Sequence, residues 1–82
     1  MNNRRSFISG IRGKKLSNAE IKFLKVYKPW GIILFTRNLD NFEQIKNLTK
    51  NIKKIFKDQN YPIMIDQEGG RVNRLSKFLS LD

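Results

Sequence analysis

Blocks of apolar and polar positions along the chain predict three strands separated by two helices. A short apolar run at 7–11 predicts the first strand. The continuous apolar run at 30–35 is too short for a helix and rich in β-branched and aromatic residues, so it predicts a strand buried on both faces. A similar run at 62–66 predicts a third, buried strand.

The first helix is predicted to begin at Ser17 or Asn18 and to run to about Tyr27. Glu20 lies three residues after Ser17 and completes a capping-box pattern. Pro29 is incompatible with a continuing helix and is expected to end it.

The second helix, over about 42–56, has the clearest periodicity in the chain, and Asp40 or Asn41 is its expected cap. The apolar side chains lie on one side, at positions 45, 48, 52, 55 and 56. Lysines lie on another side, at positions 46, 50, 53, 54 and 57. This pattern is typical of an outer helix packed on a sheet with its lysines in water. A helix that binds a membrane surface or a nucleic acid is the alternative.

Buried-type strands that alternate with helices predict βαβ units and a parallel sheet. A parallel sheet needs cover on both faces or closure into a barrel, and three strands with two helices provide neither. The pattern therefore predicts the beginning of a larger α/β domain, with residues 1–82 as its N-terminal part.

The composition excludes several kinds of chemistry. The 82 residues include 17 Lys and Arg against 7 Asp and Glu, giving a net charge of +10, with no His and no Cys. A disulfide framework, a thiolate nucleophile and a histidine acid/base are therefore absent from this sequence. Lys, Asn and Ile are frequent in every segment, so the charge is compatible with compositional bias as well as with a polyanionic partner. We find no membrane span or secretory signal and expect a cytoplasmic protein that needs no cofactor.

Polar residues follow the second and third predicted strands, where ligands bind in α/β folds. Asp66 could accept hydrogen bonds from substrate hydroxyls, or could cap its own loop. Glu68 could be a second catalytic carboxylate, but an ion pair with Arg71 or Arg74 is favoured. The following glycines lack the pattern of a phosphate-binding loop. After the second strand, the arginine and asparagine at 37 and 38 are expected to be framework residues.

Two motifs carry a family resemblance. Residues 32–38 read IILFTRN and residues 65–75 read IDQEGGRVNRL, with Gln44 between them. Together they resemble the N-terminal region of glycoside hydrolase family 3, and most closely its bacterial β-N-acetylhexosaminidase branch, which acts in peptidoglycan recycling. The opening strand and helix, with Ser17 and Glu20, are also similar. The resemblance covers about residues 6–78.

The resemblance implies a TIM-like (β/α)8 barrel and removal of terminal β-N-acetylglucosamine by a retaining mechanism. It implies that Asp66 and Arg74 bind the substrate, while Asn73 stands where glutamine is common. The family's Lys-His pair, His acid/base and Asp nucleophile lie on later segments, so no catalytic residue is expected in this chain. Such a barrel needs about 250 residues. We therefore expect an incomplete barrel of three strand-helix segments that is inactive by itself.

Two other interpretations remain open. The parent could be a family 3 β-glucosidase, or the chain could be a small basic protein that binds nucleic acid through its lysine stripe. On the main interpretation the partner is a glycan that contains N-acetylglucosamine. We expect no specific nucleic-acid partner and no membrane, and the oligomeric state is left open. The chain could also be a truncated product of a longer gene.

Overall fold

Strands and helices alternate in the computed structural model, which describes residues 5–67 and 71–74, with side chains for 6–66. In chain order the elements are β1 (Arg5–Ser9), α1 (Asn18–Tyr27), β2 (Pro29–Leu34), a 3-10 turn (Thr36–Asn38), α2 (Phe42–Phe56), β3 (Ile63–Gln67) and β4 (Arg71–Arg74). The predicted order from β1 to β3 is confirmed, and α2 has its predicted bounds. Strand β1 begins and ends two residues earlier than predicted.

The strands form one sheet in the order β1-β2-β3-β4. Strands β1, β2 and β3 are parallel, with Ser9 opposite Ile32 and Leu34 opposite Ile65. Each parallel connection contains a helix, and such connections are right-handed. Because the strand order advances in one direction, both helices lie on the same face of the sheet.

The prediction of a loop over 67–75 is wrong, because Arg71–Arg74 form strand β4. It pairs antiparallel with β3, placing Val72 opposite Asp66 and Arg74 opposite Met64. Three residues, two of them glycine, separate the two strands, and that spacing favours a hairpin. In the described part of the chain, helices therefore follow β1 and β2, whereas β3 is followed by a strand.

The core lies between the sheet and the two helices. From the sheet it takes alternate side chains of β2 and β3, and from the helices it takes one residue of α1 and two of α2. Its buried members are Ile11, Leu24, Ile32, Leu34, Leu48, Ile52, Tyr61, Ile63 and Ile65. The ring of Tyr61 stacks on that of Phe56 at 4.0 Å, and its hydroxyl donates to the Pro29 carbonyl at 2.7 Å.

The helix caps agree with the predicted capping patterns and show which of the two candidate residues caps each helix. Ser17 is the cap of α1: its hydroxyl accepts from the Glu20 backbone N–H at 3.1 Å, and its own N–H donates to the Glu20 carboxylate at 3.0 Å. Asn41 is the cap of α2 and accepts from the Gln44 N–H at 2.9 Å. Helix α1 ends at Lys28, in the left-handed conformation, and Pro29 then begins β2.

Two predictions of burial are wrong. Trp30, predicted to be buried within the second strand, is 46% exposed at the second position of β2. Lys53, predicted to lie in water, is only 8% exposed. It neighbours the buried Ile52 and lies one turn after the buried Thr49, so its aliphatic stem packs along the protein surface.

Candidate functional site at the carboxyl edge of the sheet

The loops after β1 and β2 are joined at the carboxyl edge of the sheet by Asn38, which is fully buried. Its amide nitrogen donates to the carbonyls of Ile11 at 2.9 Å and Gly13 at 2.7 Å. Its amide oxygen accepts from the Phe35 N–H at 2.8 Å. One side chain thus satisfies three backbone groups and fixes the loop after β1 against the end of β2.

Arg37 and Gln44 extend this connection. Arg37 Nη2 donates to the Ile11 carbonyl at 3.0 Å, and the guanidinium carbon lies 4.9 Å from the centre of the Phe35 ring. Gln44 Nε2 donates to the Lys14 and Asn38 carbonyls, at 2.8 and 2.9 Å. These contacts agree with the framework roles expected at positions 37 and 38. Gln44 contacts the same two loops, which explains why it accompanies the motif of residues 32–38.

Glu20 holds the same loop from α1, a contact that the capping-box pattern did not predict. Its Oε2 accepts from the Arg12 N–H at 2.8 Å, while Oε1 accepts from Ser17. Partial burial acts to raise the pKa of Glu20. Hydrogen bonds from the Ser17 and Arg12 backbones and from the Ser17 hydroxyl, together with the Arg12 charge, outweigh burial and lower this pKa. The carboxylate is therefore stabilised in its charged form.

Asp66 lies near the carboxyl end of β3 and is half-buried. Its Oδ1 is buried and has no hydrogen-bond partner in the described part of the chain. A loop-capping aspartate would accept hydrogen bonds from the N–H groups of the residues that follow it, and residues 68–70 lie outside the described structure, so both interpretations of Asp66 stay predictions. A buried carboxylate oxygen without a partner is energetically costly, so Asp66 is a candidate for a role beyond stability.

The other predicted site residues are placed in part or not at all. The backbone of Arg74 lies in β4 opposite Met64, two positions from the Asp66–Val72 pair, but its side chain lies outside the described structure. The backbone of Arg71 pairs with that of Gln67, and the side chains of both residues lie outside the described structure. Glu68, Gly69 and Gly70 lie outside the described residues, so the interpretations of Glu68 stay predictions.

Two further observations concern metal binding and membrane crossing in residues 5–67 and 71–74. Within these ranges, no group of three acidic, histidine or cysteine side chains could hold a metal ion. No helix within them is both long and apolar enough to cross a bilayer.

Known proteins similar to this chain are β-hexosaminidases. The chain is 41% identical over 69 residues to the Haemophilus influenzae Rd protein, covering 84% of the chain and 19% of that protein. It is 40% identical over 70 residues to the Psychromonas ingrahamii protein, covering 85% of the chain and 20% of that protein. No protein-family model matches the sequence.

Solved structures give the same result. NagZ from Neisseria gonorrhoeae, crystallised with N-trifluoroacetyl-D-glucosamine, superposes with a TM-score of 0.70 and 39% identity. The match covers 87% of this chain and 21% of that one. The chain thus spans about a fifth of the length of these relatives. The resemblance to the N-terminal region of the family 3 β-N-acetylhexosaminidases is confirmed, and so is an α/β fold with parallel strands.

Proposed function

We propose that the chain forms the first three strands of a TIM-like (β/α)8 barrel in a β-N-acetylhexosaminidase. In the whole enzyme, Asp66 and Arg74 would contribute to the subsite for the terminal sugar. The observation that carries the proposal is the unpartnered Oδ1 of Asp66, at the sheet edge where barrel enzymes bind substrate. The 82 residues alone are proposed to be inactive.

The arrangement of helices supports a barrel over a doubly wound sheet. In a doubly wound sheet the strand order reverses and helices cover both faces. Here the parallel strands advance from β1 to β3 with both helices on one face. The other face carries Ile8, Ile33 and Met64, none of which is fully buried. Such an apolar face becomes the interior when a parallel sheet closes into a barrel.

Asp66 shares this open face with Ile33 and Met64. Met64 is in register with Ile33, and Asp66 follows Met64 by two positions, which returns to the same face of a strand. A carboxylate there accepts hydrogen bonds from sugar hydroxyls. Asp66 is assigned to substrate binding. The acid/base and the nucleophile that a retaining glycosidase needs are assigned to the rest of the enzyme.

The proposed substrate is a glycoside or peptidoglycan fragment that ends in β-N-acetylglucosamine, hydrolysed with retention in the cytoplasm. The names of the relatives favour this substrate over that of a β-glucosidase. The sugar analogue bound by the Neisseria gonorrhoeae protein favours it too.

A chimera tests the proposal. This chain replaces the matching fifth of the Haemophilus influenzae β-hexosaminidase, and hydrolysis of an aryl β-N-acetylglucosaminide is measured. We expect activity in the chimera and none in the isolated chain. In the chimera, Asp66→Asn should lower kcat/KM roughly 10- to 100-fold, the effect of losing a hydrogen bond to a charged group.

Asp40→Asn is the matched control, because Asp40 is exposed and lies 3.9 Å from Lys14 at the surface. It makes the same chemical change and should leave kcat/KM within about twofold, as is usual for surface sites. Equal losses from both variants, or a folded chimera without activity, would contradict the proposal. So would turnover by the purified 82-residue chain that Asp66→Asn abolishes.

A further inference from the structure

Helix α2 and its C-cap carry a row of exposed lysines that the proposed enzyme activity does not use. Lys46, Lys50, Lys54 and Lys57 are all exposed, and we call them the lysine face. At 100° per residue they lie within an arc of about 80°, and at 1.5 Å per residue they span about 16 Å. Consecutive cations in the row are therefore about one helical turn apart.

The surroundings leave this row strongly positive. The lysine face borders a shallow concave surface that also includes Thr49, Lys53 and Gln59. Two carboxylates, Glu43 and Asp58, lie at opposite ends of the row. In the described part of the chain, none of the four lysines is in an ion pair. The row is thus free to attract a polyanion.

The kinds of side chain indicate which polyanion fits. The face contains lysines only, and lysine ammonium groups act as point charges rather than as the planar forks that read base edges. None of its four positions is aromatic, and Phe42, one turn before Lys46, is the one exposed aromatic side chain of α2, so stacking on bases is limited to that residue. Such a face suits the regularly repeated phosphates of a nucleic-acid backbone, which position a protein without specifying sequence.

A membrane surface fits less well. An interfacial helix must insert its apolar side among the lipids. In α2 that side is already used, because Leu48 and Ile52 are buried in the core against the sheet. Phe42, one turn before Lys46, is 48% exposed and is the one exposed large apolar side chain of α2, so apolar contact with a bilayer would be limited to that residue.

We propose that the lysine face of α2 binds the phosphate backbone of nucleic acid independently of its sequence. This site is separate from the sugar subsite. It lies on the helical layer, whereas Asp66 lies on the opposite face of the sheet. Binding of nucleic acid therefore neither requires nor uses Asp66.

Fluorescence anisotropy with labelled 20-nucleotide DNA of random sequence, single-stranded and duplex, tests the proposal on the 82-residue chain. Contacts from four lysines predict that log K falls with log salt at slopes of about −2.8 for single strands and −3.6 for duplex. The variant Lys50→Glu with Lys54→Glu should weaken binding at least tenfold at low salt.

A second charge-reversed pair serves as the matched control. Lys22→Glu with Lys28→Glu changes two exposed lysines, one in α1 and one at its C-cap, and lowers the net charge from +10 to +6, as the first pair does. We expect this control to bind within about threefold of the unchanged chain. If circular dichroism shows that the variant Lys50→Glu with Lys54→Glu does not fold, Lys50→Gln with Lys54→Gln replaces it. This variant should also bind DNA more weakly than the unchanged chain.

Three results would overturn the proposal. The first is no binding to either DNA at low salt. The second is an equal loss from the two pairs, which would show attraction to net charge without a site. The third is binding to phosphatidylglycerol vesicles that exceeds binding to DNA and depends on the same lysines, which would assign the face to a membrane.

Discussion

The two faces of the parallel sheet differ in what covers them. On one face, Ile32, Leu34, Ile63 and Ile65 lie under the helices and are at most 6% exposed. On the other face, Ile33, Met64 and Asp66 are only half-buried, and Ile8 is 48% exposed. The same strands supply both faces, because alternate side chains point in opposite directions.

This difference separates what holds the chain together from what it can bind. The covered face has a complete apolar environment, so its side chains contribute stability. The open face has apolar side chains without full cover and a carboxylate oxygen without a partner. Unsatisfied groups of that kind are retained at functional positions at a cost in stability. The open face is therefore the part of the sheet with capacity left to pack against other groups or to bind a ligand.

The largest expected effect comes from two adjacent isoleucines on opposite faces. Ile32→Ala should cost roughly 2–5 kcal/mol, because Ile32 is fully buried and its truncation leaves a cavity. Ile33→Ala removes the same atoms from a half-buried position and should cost about 1 kcal/mol. Urea unfolding followed by circular dichroism measures both.

Ile32→Val keeps the comparison measurable if Ile32→Ala does not fold, since it should cost only about 1 kcal/mol. Ile33→Val should then have less effect than Ile32→Val. Equal costs on the two faces would show that the open face is covered in solution, which would break the comparison.

A smaller effect is expected at the carboxyl edge, where the two faces end. Asn38→Asp keeps the oxygen that accepts from Phe35 but replaces the donor to Ile11 and Gly13 by a second acceptor. The Gly13 carbonyl loses this donor and the Ile11 carbonyl keeps only that from Arg37, while a charged carboxylate is placed beside both, so we expect a cost of roughly 2–3 kcal/mol near pH 7. Burial beside carbonyl oxygens raises the pKa of the introduced carboxyl above its usual range, so as the pH falls toward about 4 the acid is protonated, can donate again and recovers part of the loss.

Asn51→Asp is the control for Asn38→Asp, because Asn51 is exposed on α2. It should change stability by less than about 0.5 kcal/mol, as is usual for surface sites. A cost at Asn38 that does not decrease in acid would show that the amide donor is not what fixes the loop after β1.

The covered face and the helices could be predicted from sequence because local signals determine them. The apolar spacing of α2 gave its bounds, and the Ser17–Glu20 pattern gave the cap of α1. The burial of Lys53 and the exposure of Trp30 could not be predicted in this way, since both depend on how far neighbouring elements reach.

The site was predictable in a different way. The family resemblance indicated Asp66, but neither periodicity nor spacing could show that its Oδ1 has no partner. The connections made by Asn38 join residues 25 and 27 positions apart, and a single sequence carries no signal for such contacts. Strand β4 is the exception: the two glycines between two strand-like runs favour a hairpin, so the sequence does carry a signal for this pairing.

The smallest expected effect is a pH dependence at Glu20, which holds the loop at the edge of the covered face. Its pKa is lowered in the folded chain, so its contribution to stability is complete above about pH 4.3, the ordinary value for glutamate. That contribution is lost as the pH falls through the lowered pKa. Glu20→Gln should therefore be less stable than the unchanged chain at pH 7, and the difference should shrink in acid.

Glu43→Gln, at an exposed position in the first turn of α2, is the control and should show a smaller difference. A Glu20→Gln difference that stays constant down to pH 2 would show that the hydrogen bonds from Arg12 and Ser17 do not depend on the charge of the carboxylate.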